Sequence, residues 1–448
     1  MPDPYLPNSP SRIREEMLRR LGLKSLEELF SDVPSGLLIE GLNLPEGMSD
    51  IQVERIVTER LNENKAHPEY LFFLGGGVWN HYVPALVDEI VSRAEFYTSP
   101  APYHPEMSQG ILQALFEYQS MICELTGMDV ANCSMYDWAS AAGEAVRMAV
   151  RVKKRGKVLV AGNISPERME VIENYSLDAG ISVERLGYDE ESGRVSIEGV
   201  DGDTAAVYVE NPNFFGVLEE LDAISEEVKR SDALLIVGVD PTSLGVVRPP
   251  GDYGADIVVG EAQPLGLHMN FGGPLLGIFA VRGARELVEQ MPGRLVGMRV
   301  EDGKFHLALR EREERIGRER ATSNICTSEA LCAVASAVYL ALLGPDGMRE
   351  LGMRIAKNSH YACKLLADVG VECPYFGGDF FKEFTFRVPD AERLISRCLE
   401  EYKVVPGLNL GDFFEELKGV LLTSVTEVYG VEDLHRLRDA VKGVLGYA

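Results

Sequence analysis

Lysine is scarce in this chain, and over one long window it is missing. Of 44 basic residues among 448, only 13 are lysine against 31 arginines, and none lies between Lys229 and Lys304. Positive charge of either kind is short: 70 acidic side chains leave a net charge of −26. A surface this acidic repels phosphates, which argues against nucleic acid and anionic membrane as partners. No stretch approaches the ~18 uninterrupted apolar residues of a membrane span. The opening MPDPYLPNSPSR has no basic segment followed by an apolar one, so a signal peptide is not expected. The seven cysteines (123, 133, 326, 332, 363, 373, 398) are odd in number and form no CxxC pair. A zinc site or disulfide framework is therefore not expected, no metal ligands are assigned, and a reduced cytoplasmic compartment fits best. Most of the cysteines read as buried small hydrophobes, and Cys326 reads as a buried thiol. GxGxxG, GxxxxGK[ST] and HExxH are all absent, which disfavours nicotinamide, nucleoside-triphosphate and zincin chemistry.

What is present suffices for a large core: 46% of residues are hydrophobic, and the length allows two to three domains. Residues 1–65 read as a helical arm. Ile13, Met17, Leu18 and Leu21 share a helical face, and Ser25–Glu28 and Ser49–Gln52 have capping-box spacing. Such an arm packs on the main body or on a partner. Residues 110–127 form an amphipathic helix closed by Gly127. From Lys157 the chain alternates between apolar strands (157–162, 181–188, 204–213, 233–243, 255–261, 275–282) and helices. That alternation indicates an α/β fold with a mostly parallel sheet covered on both faces, spanning a large domain of residues 66–330. Residues 331–448 read as a smaller α+β domain.

Ligands of open α/β sheets bind at the carboxyl ends of strands. Asp240 ends the buried strand VGVD, where a carboxylate needs a cation or donor. In one large enzyme class such an aspartate pairs with the ring nitrogen of pyridoxal phosphate, and a lysine after the next strand forms the Schiff base. Here that strand is ADIVVGE, and AQPLGLHMNFGGP follows it without a lysine. Either the pyridoxal reading is wrong, or the chain has the fold without the covalent cofactor. His67 and His81 lack metal-ligand spacing and read as ordinary packing or surface residues.

Two segments bear on the choice. FLGGGVWNHYVPALVDEIVSRAEFYTSPAPYHPEMSQGILQALFEYQSMICELTGMDVANCSMYDWASAAGEA (73–145) and RERATSNICTSEAL (318–331) resemble the glycine dehydrogenase (decarboxylating) family, the P-protein of the glycine cleavage system. VGVDPTSLGVVRPPGDYGADIVVGEAQPLGLHMNFGGPLLGIFA (237–280) resembles subunit 1, the alpha chain of its split form. The resemblance implies the pyridoxal-phosphate-dependent transferase fold (fold type I). It implies an α2β2 assembly in which subunit 2, the beta chain, carries the lysine and the pyridoxal phosphate. It implies decarboxylation of glycine and transfer of the aminomethyl group to the lipoyl arm of H-protein. Gln263 and Pro264 stand about where the lysine would be.

Within the resembling segments, Tyr97, Thr98, Tyr103, His104, Glu106, Ser108 and Gln109 are the candidates to line a shared catalytic site. Prolines stiffen their loop, and hydroxyls and an amide on a stiff loop suit ligand orientation. The alternative is a structural loop before a helix capped by Ser108. Arg320, Thr322, Ser323 and Asn324 could reach a carboxylate or phosphate across an interface. The alternative is a helix end with Thr322 or Ser323 as the next N-cap. His268, Asn270 and Gly272-Gly273-Pro274 could face the partner's cofactor. Tyr136–Glu144 occupies the phosphate-cup position, but the indole of Trp138 argues for a retained, empty cleft. Asp240 then becomes a relic paired with an arginine or with backbone donors.

Overall fold

A computed structural model describes residues 5–39, 41–97, 102–177, 179–270, 273–309, 321–323 and 325–446. The chain divides into two units, Met1–Lys65 and Ala66–Ala448. The first holds helices α1 (Ser11–Leu21) and α2 (Asp50–Leu61) with two short 3-10 turns. The Ser49–Gln52 box forms: Ser49 N–H donates to Gln52 Oε1 at 2.9 Å. Ser25–Glu28 starts no α-helix; a single 3-10 turn, Glu27–Phe30, stands there. None of the described residues 5–65 is buried, and Met17, Leu21, Phe30, Leu37 and Leu44 are exposed.

The second unit begins with β1 (Leu71–Phe72), α3 (Ala85–Val91), α4 (Ala94–Tyr97) and α5 (Gln109–Thr126). Gly127 closes α5 in the left-handed conformation (φ 69°), as its lack of a Cβ permits. The main sheet comprises β2 (Val130–Ala131), β3 (Lys157–Ala161), β4 (Ser182–Leu186), β5 (Thr204–Asn211), β6 (Leu234–Val239), β7 (Ile257–Glu261) and β8 (Gly277–Val281). Their order is β2-β8-β7-β6-β5-β3-β4. The five strands β3 to β7 run parallel; β8 returns antiparallel beside β7, and β2, antiparallel to β8, closes that side in the direction of the other five. Every residue of β5 and β6 is buried, which is why both read as unbroken apolar runs. Helices α6 (Trp138–Lys153) and α7 (Pro166–Leu177) cover the sheet. Ala141, Ala142 and Ala145 let α6 lie close to it, and a Cβ on Gly143 would come within 2.8 Å of the Tyr175 ring.

The hairpin β9 (Leu295–Met298) and β10 (Phe305–Ala308) leads towards the long helix Ala330–Asp368. An 18-residue window of that helix is apolar enough to cross a membrane by composition. Its Ala333, Ala335 and Tyr339 are nevertheless packed in the main core, and the backbone leaves helical geometry at Gly344 before Pro345. The later half of the helix joins a second core. There β11 (Glu383–Arg387), β13 (Leu408–Asn409) and β14 (Val420–Ser424) form a sheet ordered β11-β14-β13. Leu71 and Phe73 also pack into this core, because β1 pairs in parallel with β12 (Val404–Val405).

Candidate functional site

The carboxyl ends of β5, β6 and β7 open onto a cleft closed by α6 and by residues 379–383. Asp240, just past β6, is 4% exposed. Its Oδ2 lies 2.7 Å from Lys382 Nζ, and its Oδ1 accepts from the Thr242 N–H (3.0 Å) and hydroxyl (2.8 Å). The cation that neutralises it is a lysine from the chain's far end, not an arginine. Lys382 is itself 1% exposed and stands 3.6 Å from the centroid of the Trp79 ring. Lys382 Nζ also donates to His81 Nε2 at 3.2 Å, while His81 Nδ1 faces Glu427 Oε2 at 2.8 Å. An ammonium has no acceptor, so Nε2 carries the lone pair and Nδ1–H donates to Glu427. Burial, and then the charge of Lys382, lower the His81 pKa and keep the ring neutral.

A second buried pair fills the other half. Arg168 holds Glu210 with two bonds, 2.5 and 2.7 Å, and lies 3.8 Å from the centroid of the Trp138 ring. Trp138 Nε1 donates to the Tyr208 hydroxyl (3.1 Å), which donates to Glu210 (2.9 Å). Gly238 in β6 has no side chain because a Cβ would fall 2.8 Å from this indole. Glu261, at the end of β7, accepts from the backbone N–H groups of Trp138, Gln263 and Leu276, while burial pushes its carboxyl up to about 7.

Pyridoxal phosphate does not fit this cleft. The inner space is about 10 Å³, against the few hundred that a cofactor pocket takes. The carboxylate that would meet the pyridine nitrogen is bound to Lys382. Gln263, near the missing amine, donates to the Leu267 carbonyl and accepts from Trp79 N–H. Outside Trp138 an open cleft of about 310 Å³ remains, but Asp137, Glu167 and Glu261 line it, and the one cation among its described lining residues, Arg168, is already committed. A phosphate entering there meets carboxylates. The cleft expected to be empty is filled by the chain's own side chains. Lys382, Trp79, Arg168 and Glu427 escaped the sequence reading. The signal was a lysine among phenylalanines, Phe380-Phe381-Lys382-Glu383-Phe384.

Away from this plug, the two blocks singled out in the sequence come together. The Tyr103 hydroxyl, buried, accepts from Ser328 N–H at 3.0 Å and shares a 2.5 Å hydrogen bond with Ser328 Oγ. Burial raises the Tyr103 pKa, so the phenol stays protonated. Ser323 donates to Glu144 of α6 (3.0 Å), Cys326 N–H to the Tyr136 hydroxyl (3.2 Å), and Glu329 N–H to Ser134 Oγ (2.9 Å). Arg294 donates twice to the Cys326 carbonyl and faces the Tyr103 ring. Residues 132–137, leading from β2 into α6, are thus the platform to which residues 325–329 are strapped, and Ser323 is tied to α6 itself. Between the blocks lies a cavity of about 370 Å³ bordered by Phe96, Tyr97, Pro102, Thr327, Ser328 and Glu329.

Tyr97 ends α4 at the rim of this cavity and is 74% exposed. His104 and Glu106 are exposed in the turn that follows Tyr103. Ser108 occupies the N-cap position of α5 without a side-chain capping bond. Gln109 is committed to backbone: its amide donates to the Pro105 and Phe305 carbonyls and its oxygen accepts from Phe305 N–H. Thr322 is half-buried, and neither it nor Ser323 caps the long helix, whose N-cap is Glu329. Cys326 is exposed, contrary to expectation. His268 is exposed and pairs with Asp88 of α3 at 3.1 Å; Asn270 is exposed as well. Thr98, Arg320, Asn324 and Gly272 lie outside the described residues.

A model of the glycine cleavage system P-protein family matches residues 3–441. A probable glycine dehydrogenase (decarboxylating) subunit 1 from Thermococcus kodakarensis is 47% identical over 452 residues, 99% of either chain. One of the same description from Staphylothermus marinus is 45% identical over 461 residues, covering 99% of this chain and 98% of that one. Among solved structures, an inhibitor-bound glycine decarboxylase (P-protein) of the glycine cleavage system superposes with a TM-score of 0.89 at 40% identity, over 99% of this chain and all of that one. A sphingosine-1-phosphate lyase from Burkholderia pseudomallei shares the fold alone (TM-score 0.66, 13% identity, 94% and 95% covered). Such neighbours are pyridoxal-phosphate-dependent enzymes of fold type I, and this chain has their fold. With its family match from end to end, its lysine-free window and its self-filled cleft, this chain belongs to the glycine cleavage system P-protein family, among the subunit 1 chains of decarboxylating glycine dehydrogenase.

Proposed function

We propose that this chain is the alpha subunit of a cytoplasmic α2β2 glycine decarboxylase, and that its contribution to catalysis is a wall rather than a cofactor. The carrying observation is the occupation of its own cleft: Asp240 is bound to Lys382 and Trp138 stands in the phosphate cup. A lysine-bearing beta subunit then holds pyridoxal phosphate. That cofactor supplies the electron sink that decarboxylation of glycine requires.

The strapped surface around Tyr103 and Ser328 is what this chain offers its partner. Its hydroxyls suit orientation of the glycine carboxylate, whose positioning precedes loss of carbon dioxide. Its apolar rim suits exclusion of water while the aminomethyl group passes to the lipoyl arm of H-protein. The subunit 1 designation of its relatives supports a two-chain assembly.

The test is co-expression with the lysine-bearing subunit. The complex should release carbon dioxide from glycine in the presence of lipoylated H-protein, and neither chain should do so alone. Tyr97→Phe and Asn324→Ala should slow that release in complexes of unchanged size. Wild-type rates in both would favour the rival reading, a scaffold that only stabilises its partner.

A further inference from the structure

The second core holds two thiols side by side. Cys363 is buried on the long helix Ala330–Asp368, and Cys373, half-buried, follows in the turn after it. Their sulfurs are 2.8 Å apart. Unbonded heavy atoms settle at roughly 3.5–4 Å, and a formed disulfide measures about 2.05 Å. Both backbones are held in place. Gly370 turns the chain at φ 90°, with its N–H on the Ala367 carbonyl and Val371 N–H on that of Leu366. On either side of Cys373, the Glu372 carbonyl accepts from Arg387 N–H (3.0 Å) and Tyr375 N–H donates to Thr385 (2.7 Å), so β11 pins the turn from the other direction. The thiols meet without rearrangement of the fold.

We propose that Cys363 and Cys373 are a modification site, a dithiol that closes to an intrachain disulfide. The co-reactant is a small-molecule disulfide. Cys373, the more accessible, attacks it and releases one small thiol. Cys363 then displaces the second from Cys373. Two protein thiols become one S–S bond, and the small disulfide is reduced to two thiols, which take both hydrogens. Burial raises the Cys373 pKa, which makes thiolate scarce and exchange slow. The bond is therefore a lasting clip between helix end and sheet. The sequence reading expected no disulfide framework, and this single reversible bond is proposed beyond it.

The full chain should be incubated with oxidised glutathione, denatured, alkylated and weighed. Two of the seven thiols should be protected, the chain should be lighter by two hydrogens, and a peptide should link residues 363 and 373. Dithiothreitol should reverse all three. The oxidised chain should melt roughly 3 °C above the reduced one, a difference absent from Cys373→Ser. Seven alkylated thiols, a link to another cysteine, or glutathione left on Cys373 would each overturn the assignment. Wild-type masses decide the matter even if Cys373→Ser does not fold.

Discussion

Replacing Asp240 by asparagine should be among the most costly isosteric changes available in this chain. Asparagine keeps an acceptor for the Thr242 N–H and hydroxyl, but facing Lys382 Nζ it replaces a charged acceptor with an amide donor. Lys382 is 1% exposed, and it also meets the Trp79 face, the neutral His81 ring and the field of the buried Glu383 carboxylate. Water therefore does not reach the stranded ammonium, and removing one partner of such a buried pair costs about 3–5 kcal/mol. Lys382→Met should be costly too, since it strands the carboxylate and removes the donor to His81. The two changes together remove both members of the pair and should cost less than either alone, about 1–2 kcal/mol, from the lost bond to His81 and the lost cation near Glu383. Both tryptophans of the chain, Trp79 and Trp138, stand in this cleft, so their fluorescence during a urea melt reports on it directly. With a slope near 3 kcal/mol/M, the Asp240→Asn midpoint should fall by roughly 1–1.5 M, and the double variant should recover most of that. A single variant within ~0.5 kcal/mol of wild type, or a double variant as unstable as the worse single one, would refute the charge argument.

Acid should weaken the same network. His81 is held neutral in the fold and takes a proton in the unfolded chain near ~6.5, so its contribution is fully present above that pH. It is lost at about 1.4 kcal/mol per unit as pH falls below it, until the folded ring itself protonates. Urea midpoints between pH 5 and 7.5 should differ in slope by this amount between wild type and His81→Gln, because the opposing contribution of Glu261, whose raised carboxyl protonates first in the fold, is common to both. Gln263→Lys should not create a cofactor site: incubation with pyridoxal phosphate and dialysis should leave no visible absorbance, because Asp240 remains bound to Lys382 and Trp138 fills the cup. Tyr103→Phe should leave Ser328 N–H buried without its acceptor, a cost of about 1–3 kcal/mol. Hydrogen exchange of residues 325–329 should quicken in that variant while exchange in the main sheet stays unchanged.

Periodicity and turn chemistry fixed much of this molecule in advance. The apolar runs of β5 and β6, the amphipathic α5 with Gly127 after it, and the Ser49–Gln52 cap all lie within about one element of chain, where local sterics decide. Ser25–Glu28 shows the limit, since capping spacing alone does not make a helix where the following residues settle into a 3-10 turn. The sequence by itself also determined what this chain lacks: no lysine between 229 and 304 means no amine after β7, whatever the packing. What replaced the amine was a tertiary decision. Tyr103 meets Ser328 across 225 residues, and His81 meets Glu427 across 346. Lys382 reaches Asp240 because β11 and the turn before it close over the ends of β6 and β7. No spacing rule encodes such pairs. Burial makes each charge require a partner, but strand order and loop closure choose which one, and here they turned a cofactor cleft into a core.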